Sequence, residues 1–182
     1  MAAAIENIMV TQAHAELEDV FRAHQSTVLK AAYRVTGSLA DAEDVAQSVF
    51  LRLARGNIDH SRIANLQSYL HKSAVNAALD LIRARGHCEV VPVEAADALP
   101  ANPCLTPERS HSSTEIKNWL RKELAQLSPR TAEMFTLRYI EGLDNPEIAR
   151  MMNTSQAVVA VTLHRTRARL KKSLRGILKG AS

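Results

Sequence analysis

The C-terminal part of the chain carries many cationic side chains and no acidic ones. No Asp or Glu follows Glu147. The cations in this part are Arg150, Arg165, Arg167, Arg169, Lys171, Lys172, Arg175 and Lys179. A surface of one charge sign attracts a polyanion, and a basic helix favours duplex DNA as that polyanion. The chemistry predicted here is therefore the binding of phosphates and base edges.

Local signals place these cations on a helix-turn-helix. Ser128-Pro129 is typical of a helix start, and Asp144 with Glu147 matches a capping box, which predicts a short helix over 145–152. After a turn, Ser155 caps the last helix. The contacts expected beneath these two helices are Ile148, Ala149 and Met152, then Val159, Leu163, Thr166, Leu170 and Leu174. The alternative is an ordinary helical bundle with a solvated basic face.

Composition limits the remaining possibilities. With 182 residues, 46% of them hydrophobic, the chain can form one or two domains with real cores. Its net charge is only +4, so subtracting the eight C-terminal cations leaves −4 for the rest, and charge is segregated along the chain. We find no signal-peptide pattern and no apolar run long enough to span a bilayer, and expect a cytoplasmic protein without membrane insertion. Cys88 and Cys104 are too few for a disulfide framework.

A proline-rich segment divides the chain into two helical halves. Pro92, Pro100, Pro103 and Pro107 leave no room there for a helix of useful length. No segment shows sustained strand alternation. The expected fold class is therefore all-α: two small helical domains joined by a Pro-rich linker, the C-terminal one a helix-turn-helix. The expected boundaries are an N-terminal tail at 1–14, a first domain at 15–87, a linker at 88–112 and a second domain at 113–179.

The first half shows three amphipathic segments. Gly37 should end the first helix, as Gly142 should end a helix in the second half. Ser38 and Asp41 fit a capping box for the second helix. Inward positions expected on the three helices are Leu17, Val20, Phe21, His24, Val28, Ala31 and Val35; Ala42, Val45, Ala46, Val49, Phe50 and Leu53; and Tyr69, Leu70, Ser73, Ala74, Ala77 and Leu81. Residues expected to face water are Asp41, Glu43, Asp44, Gln47 and Arg52, then His71, Lys72, Asn76, Asp80, Arg83 and Arg85.

Both halves resemble the extracytoplasmic-function (ECF) sigma factors of bacterial RNA polymerase. The motifs that carry the resemblance in the first half are Asp41-Ala-Glu-Asp-Val-Ala-Gln47, Val49-Phe50-Leu-Arg52, Tyr69-Leu70, Asn76 and Asp80-Leu-Ile-Arg83. In the second half they are Leu127-Ser-Pro-Arg130, Phe135-Thr-Leu-Arg-Tyr139, Glu141-Gly-Leu143 and Glu147-Ile-Ala149. Response-regulator DNA-binding domains share the second set, so the first set decides between the two families.

The resemblance implies roles for individual residues. It assigns docking on the β′ clamp of core RNA polymerase to Asp41, Glu43, Asp44 and Gln47. Alternatively, the acids among them only stabilise the positive end of the helix dipole at the N-terminus of their helix. It implies contacts to the −10 promoter element by Arg62, Asn65, Lys72, Asn76, Arg83 and Arg85. It also implies contacts to the −35 promoter element by Ser155, Gln156, Ala157, Val158, Ala160, Val161, Thr162, His164, Arg165, Arg167, Arg169 and Lys171. It further implies contacts with the β subunit and with an anti-sigma factor, and a monomer when no partner is bound.

The chain departs from the family pattern at two places. Val75 stands where the family usually has Arg before Asn76, which predicts a weaker backbone contact. The recognition helix reads Ala157-Val158-Val159-Ala160-Val161-Thr162-Leu163 and lacks the usual Lys and Arg. Apolar side chains cannot bond guanine but can contact thymine methyl groups, so an unusual promoter preference is expected.

Other function classes find little support in the sequence. His87, Cys88, Cys104 and His111 could form a metal or redox sensor, although their spacing matches no compact zinc pattern. No phosphate-binding Gly loop, zinc-protease helix or nucleophile motif indicates an enzyme, and no cofactor is expected.

Overall fold

The computed structural model describes the backbone of residues 2–55, 65–86 and 107–180, and the side chains of 17–55, 65–85 and 114–176. Within these ranges the chain forms seven helices and no strand, which confirms the all-α prediction. The helices are α1 (Ala2–Thr36), α2 (Leu39–Ala54), α3 (Leu66–Gly86), α4 (Pro107–Gln126), α5 (Pro129–Tyr139), α6 (Asn145–Met151) and α7 (Gln156–Gly180).

The first three helices pack against one another around an apolar core. Gly37 ends α1 with a φ of +70°, where its N–H donates to the Tyr33 carbonyl at 2.7 Å. This left-handed conformation suits glycine because it has no side chain. Ser38 then caps α2 through its Oγ, which accepts from the Asp41 N–H at 3.4 Å. The predicted inward face of α2 is confirmed, since Ala42, Val45, Val49, Phe50 and Leu53 are all buried.

Helices α5 to α7 form the predicted helix-turn-helix. Gly142 ends the turn after α5 with a φ of +79°. The capping box on α6 is complete: Asp144 Oδ1 accepts from the Glu147 N–H at 2.7 Å, and Glu147 Oε2 accepts from the Asp144 N–H at 2.8 Å. Asn153 makes the turn with a φ of +46°, and Ser155 Oγ accepts from the Val158 N–H at 3.2 Å. The predicted contacts Ile148, Ala149, Met152, Val159, Leu163, Thr166 and Leu170 are buried, and Leu174 is half-buried.

Helix α3 joins the two halves. It packs against α1 and α2, and also against α4 and α5. Its buried side chains are Leu70, Ala74, Val75, Ala78 and Leu79, which is a wider set than the single stripe predicted. Val75 is wholly buried, so it lies in the interior and not at a DNA-facing position as expected.

Two expected boundaries differ from the structure. Helix α1 begins at Ala2, where a tail over 1–14 was expected, because the first 36 residues contain neither Gly nor Pro and open with good helix formers. Helix α4 begins at Pro107, inside the expected linker of 88–112. Proline fits the first turn of a helix, where its missing N–H has no intrahelical partner to lose. The earlier part of that linker lies outside the described residues.

The α6 capping box should contribute measurably to stability. We expect Asp144→Ala to lower the free energy of unfolding by about 1 kcal/mol, because it leaves helix N–H groups without an acceptor. Asp19→Ala, at an exposed acid on α1, should change it by less than about 0.5 kcal/mol. Urea unfolding followed by circular dichroism measures both, and equal effects of the two substitutions would contradict a contribution from the box.

Candidate nucleic-acid interface

The outer face of α7 combines exposed cations with exposed apolar side chains. The buried residues Val159, Leu163, Thr166 and Leu170 fix the helix against α5 and α6. On the other side, every candidate for −35 contact is exposed except Thr162, which is half-buried. Val158 and Val161 are 47% and 49% exposed. The N-terminal half of the helix therefore presents small apolar groups, and the C-terminal half presents Arg165, Arg167, Arg169 and Lys171.

The surface beside the turn between α6 and α7 forms an open depression. Its lining includes Arg150, Asn153, Ser155 and Gln156. The N-terminus of α7 lies here, and a helix N-terminus with a nearby guanidinium favours a phosphate oxygen. A backbone phosphate at this point would set how deeply α7 enters a groove.

The acidic face of α2 differs from the prediction at its first residue. Glu43, Asp44 and Gln47 are exposed, as expected. Asp41 is not, because only 6% of it is accessible. Both of its carboxylate oxygens accept from the guanidinium of Arg85, at the end of α3. A buried carboxylate needs such a partner. The residue pattern of α2 could not predict this burial, because the partner lies on α3.

The six candidates for −10 contact are placed unevenly. Lys72 and Asn76 lie together one turn apart on α3, where the second half covers them. Arg83 pairs with Asp80 at 2.8 Å, and Arg85 with Asp41. Asn65 is exposed and its Oδ1 accepts from the Ser68 N–H at 2.9 Å. Arg62 lies outside the described residues. The expectation that His71, Lys72, Asn76 and Arg83 face water is thus wrong, since all four are half-buried.

Two carboxylates that the sequence analysis did not identify, Glu133 and Glu141, contact the half-buried polar side chains of α3. Glu133 Oε1 accepts from Asn76 Nδ2 at 3.2 Å and lies 3.6 Å from Lys72 Nζ. Glu141 Oε2 lies 2.7 Å from His71 Nε2 and accepts from Arg34 Nη1 at 3.0 Å. A signal was available for Glu133, because it sits inside an apolar run that α5 buries, and a buried acid requires a partner.

Arg121 is a third residue that the sequence did not single out. Its Nε donates to the Val35 carbonyl at 3.2 Å, at the C-terminus of α1. Burial lowers the pKa of this guanidinium, an effect that Tyr33 and Asp41 partly offset. A Cβ built on Gly37 would lie 1.7 Å from Arg121 Nη2, so the glycine also makes room for this side chain.

The described part of the chain contains neither a metal cluster nor a membrane-spanning helix. The described residues contain no group of three His, Cys, Asp or Glu that could hold a metal ion. Among them no helix is long and apolar enough to cross a membrane. The candidate sensor residues His87, Cys88 and Cys104, and the side chain of His111, lie outside the described part.

Comparison with known proteins covers both halves. The family model "Sigma-70 region 2" matches residues 20–88, and "Sigma-70, region 4" matches residues 117–170. The RNA polymerase sigma-E factor of Streptomyces coelicolor is 30% identical over 161 residues, which cover 87% of this chain and 86% of that protein. The ECF RNA polymerase sigma factor SigW of Bacillus subtilis is 28% identical over 91% of this chain and 90% of its own length.

Two further similarities concern length and fold. SigE of Mycolicibacterium smegmatis, an ECF RNA polymerase sigma factor, is 30% identical, and the chain spans 61% of that relative. The structure of CnrH in complex with the cytosolic domain of CnrY is similar with a TM-score of 0.53, at 19% identity, over 93% of this chain and 96% of that one. This second likeness supports the fold across both halves.

The fold and the exposed basic helix define a helical protein whose second half is a helix-turn-helix of the DNA-binding type. The matches to both sigma-70 regions, in order along the chain, make the class more specific. The chain belongs to the ECF sigma factors of bacterial RNA polymerase. It is a promoter-recognition factor, and sigma factors are initiation factors without catalysis of their own.

The Asp41 pair predicts a structural phenotype. We expect Asp41→Asn to lower the free energy of unfolding by about 1–2 kcal/mol, because the substitution removes a charge-assisted pair with Arg85 at a buried site. Asp44→Asn, one turn on and exposed, should change it by less than about 0.5 kcal/mol. Thermal denaturation of both variants checks this. An Asp41→Asn protein as stable as the parent would contradict a stabilising role for the Asp41–Arg85 pair.

Proposed function

We propose that this ECF sigma factor joins core RNA polymerase through the acidic face of α2, and reads the −10 element with α3 and the −35 element with α7. The observation that carries the proposal is the outer face of α7, which is exposed over the described residues 156–176 and bears cations without a single acid. Such a face fits the major groove of duplex DNA and its flanking phosphates.

Docking on core polymerase is proposed for Glu43, Asp44 and Gln47. Their exposure on one face of α2 allows carboxylates to meet a basic partner surface, which sets register and the rate of encounter. The partner surface proposed is the clamp of the β′ subunit, with further contacts to the β subunit. Asp41 supports this face from beneath, because its pairing with Arg85 ties α2 to α3.

Recognition of the −35 element is proposed to combine two kinds of contact. Val158 and Val161 would lie against thymine methyl groups, since their side chains offer no hydrogen bond. Arg165, Arg167, Arg169 and Lys171 would bind phosphates, which position the helix without reading sequence. Gln156 at the start of α7 is exposed and can reach a base edge.

Recognition of the −10 element is proposed for the polar face of α3 together with the segment before it. Lys72, Asn76, Arg83 and Arg85 share this helix, with Asn65 at its start and Arg62 beyond the described residues. Holding an extruded base costs a few kcal/mol of stacking, so several such contacts must act together.

The proposed setting is a cytoplasmic protein without cofactor or catalytic activity, monomeric when free, and restrained by an anti-sigma factor. The match to sigma-70 region 2 over residues 20–88 speaks against a response-regulator-like protein, because that alternative rested on the second half alone.

Run-off transcription with core RNA polymerase on a genomic DNA library tests the proposal as a whole. Transcripts that depend on this protein and share a motif upstream of their start sites are expected. Core enzyme alone is the control. If the protein binds duplex DNA but adds no transcript, it is a DNA-binding regulator of another class.

The acidic face of α2 can be tested by charge reversal. Glu43→Lys with Asp44→Lys should abolish most co-purification with core RNA polymerase, because like charges then meet at the interface. The matched control is Glu18→Lys with Asp19→Lys, two adjacent exposed acids on α1, which should bind core enzyme like the parent. Both should keep the helical circular dichroism spectrum, and equal retention of core enzyme by both would refute the docking assignment.

The two kinds of contact on α7 predict different outcomes. Arg167→Ala with Arg169→Ala should weaken binding equally on promoter and random duplex, and lower the salt slope by about one for each phosphate that the variant no longer neutralises. Val158→Lys should instead alter the ranking of −35 sequences. Lys30→Ala, an exposed cation on α1, controls for charge. An unchanged ranking, combined with failure of an anti-sigma protein to capture the variant, would assign Val158 to the inhibitor interface.

A further inference from the structure

The exposed surface of α7 between residues 157 and 171 is divided into a central stripe and two flanks. At about 100° per residue, Arg169 lies about 40° around the helix from Arg165. Arg167 and Lys171 lie at about 200° and 240° on the same scale, so two cations line each flank. The stripe between the flanks, at about 260° to 320°, consists of the exposed residues Ala157, Val161, His164 and Ala168. The buried side, at about 100° to 160°, consists of Val159, Leu163, Thr166 and Leu170.

This arrangement matches the major groove of duplex DNA. The groove is about 12 Å wide and admits one α-helix, with a row of phosphates along each edge. The cations of each flank can reach one of these rows, and the stripe then faces the base edges at the floor of the groove. Helix α7 contains no acidic residue that would repel either row. The flanks thus supply the charge complementarity, and the stripe is left to read the bases.

The stripe has little capacity for hydrogen bonds. The side chains of Ala157, Val161 and Ala168 contain neither a donor nor an acceptor, and His164 is the one polar member. Ala157 and Val161 lie about 6 Å apart along the helix axis, which corresponds to about two base-pair steps. Their short side chains let the helix approach the base edges closely. The stripe therefore presents methyl groups to neighbouring base pairs, whereas only His164 can bond a base edge.

The major groove offers one apolar group to such a stripe, the methyl group on C5 of a pyrimidine. Thymine carries this methyl group beside its O4 acceptor. 5-Methylcytosine carries it on the same carbon, beside the N4 donor of cytosine. A polar side chain that bonds the base edge distinguishes the acceptor from the donor, but Ala157 and Val161 can bond neither. These two side chains therefore distinguish pyrimidines by the methyl group alone.

We infer that the stripe of α7 reads the C5-methyl groups of pyrimidines in the −35 element, so that 5-methylcytosine is accepted there in place of thymine. The ligand class is a methylated pyrimidine in duplex DNA. Methylation of a cytosine at such a position then strengthens the binding of this protein to its promoter. The inference rests on the proposed reading of the −35 element by α7.

Removal of single methyl groups from the DNA tests the inference directly. The probe is a promoter found by run-off transcription, and it is bound by core RNA polymerase that carries the full chain. Each thymine of the −35 element is replaced in turn by uracil, which differs from thymine only in lacking the methyl group. At the thymines that face the stripe, uracil should weaken binding about fourfold, the value expected for one buried methyl group.

A variant of the stripe tests which side chain makes the contact. Val161→Ala should lower the ratio of thymine to uracil affinity from about four towards one at a single position, because the methyl group loses its apolar neighbour. The matched control is Ile116→Ala on α4. Ile116 and Val161 are both 49% exposed, so each substitution shortens an equally exposed apolar side chain. The control should keep the fourfold ratio at every position.

Cytosine separates the reading of methyl groups from the reading of base edges. At the position that responds to Val161→Ala, a C·G pair replaces the T·A pair, and the cytosine is either unmodified or methylated on C5. Methylation should strengthen binding about fourfold, and the methylated duplex should bind within about twofold of the thymine duplex. In Val161→Ala the methylated and unmodified duplexes should bind alike.

The outcomes distinguish this inference from the proposed function. Protein-dependent transcripts from promoters whose −35 elements bind equally well with uracil and thymine would overturn the methyl inference and leave the proposed function intact. A preference for thymine over uracil without any effect of cytosine methylation would overturn it too, because the base edge is then read. Equal loss of the ratio in Val161→Ala and Ile116→Ala would refute the assignment to α7. If no transcript depends on the protein, the proposed function fails and the inference fails with it.

Discussion

The burial of α3 on both sides is the constraint on which the rest of the structure depends. One face completes the core with α1 and α2, and the other is covered by α4 and α5. Burying side chains such as Leu79 and Val75 stabilises by about 1.5–3 kcal/mol each, so the same helix stabilises two sets of neighbours. Because α3 also carries the polar groups proposed to bind the −10 element, the same surface of α3 packs against the second half and is proposed to bind DNA.

Charge segregation gives this arrangement its orientation. The cations from Arg165 onward lie on α7, a helix that contains no acidic residue, whereas Glu133 and Glu141 of the second half contact Arg34, His71, Lys72 and Asn76 of the first. Electrostatic complementarity of this kind selects one docking geometry more than it adds affinity. The internal contacts thus pair acids of the second half with cations of the first, whereas the cations of α7 are the ones proposed to contact DNA.

Local signals in the sequence predicted the helices well, whereas the burial of residues that depends on tertiary contacts was not predicted. Gly37, Gly142 and the Asp144–Glu147 box each act through backbone geometry within a few residues, so each helix end lies where it was expected. Asp41 and Val75 were misplaced because their burial depends on Arg85 and on the second half, which helical periodicity cannot reveal. The long α1 and the start of α4 at Pro107 show, likewise, that helices extend into the segments expected as tail and linker. The proposed roles of the site residues remain predictions, although their exposure on α7 agrees with them.

The apolar start of α7 limits the sequence discrimination that this helix can supply by hydrogen bonds. A good bidentate contact to a base discriminates by about 1–3 kcal/mol, and Ala157, Val158, Ala160 and Val161 can form none. Phosphate contacts from the four cations that follow raise affinity on every sequence alike. We propose that binding of one DNA by both domains at the correct spacing adds to the discrimination by thymine methyl contacts, because the second contact becomes intramolecular.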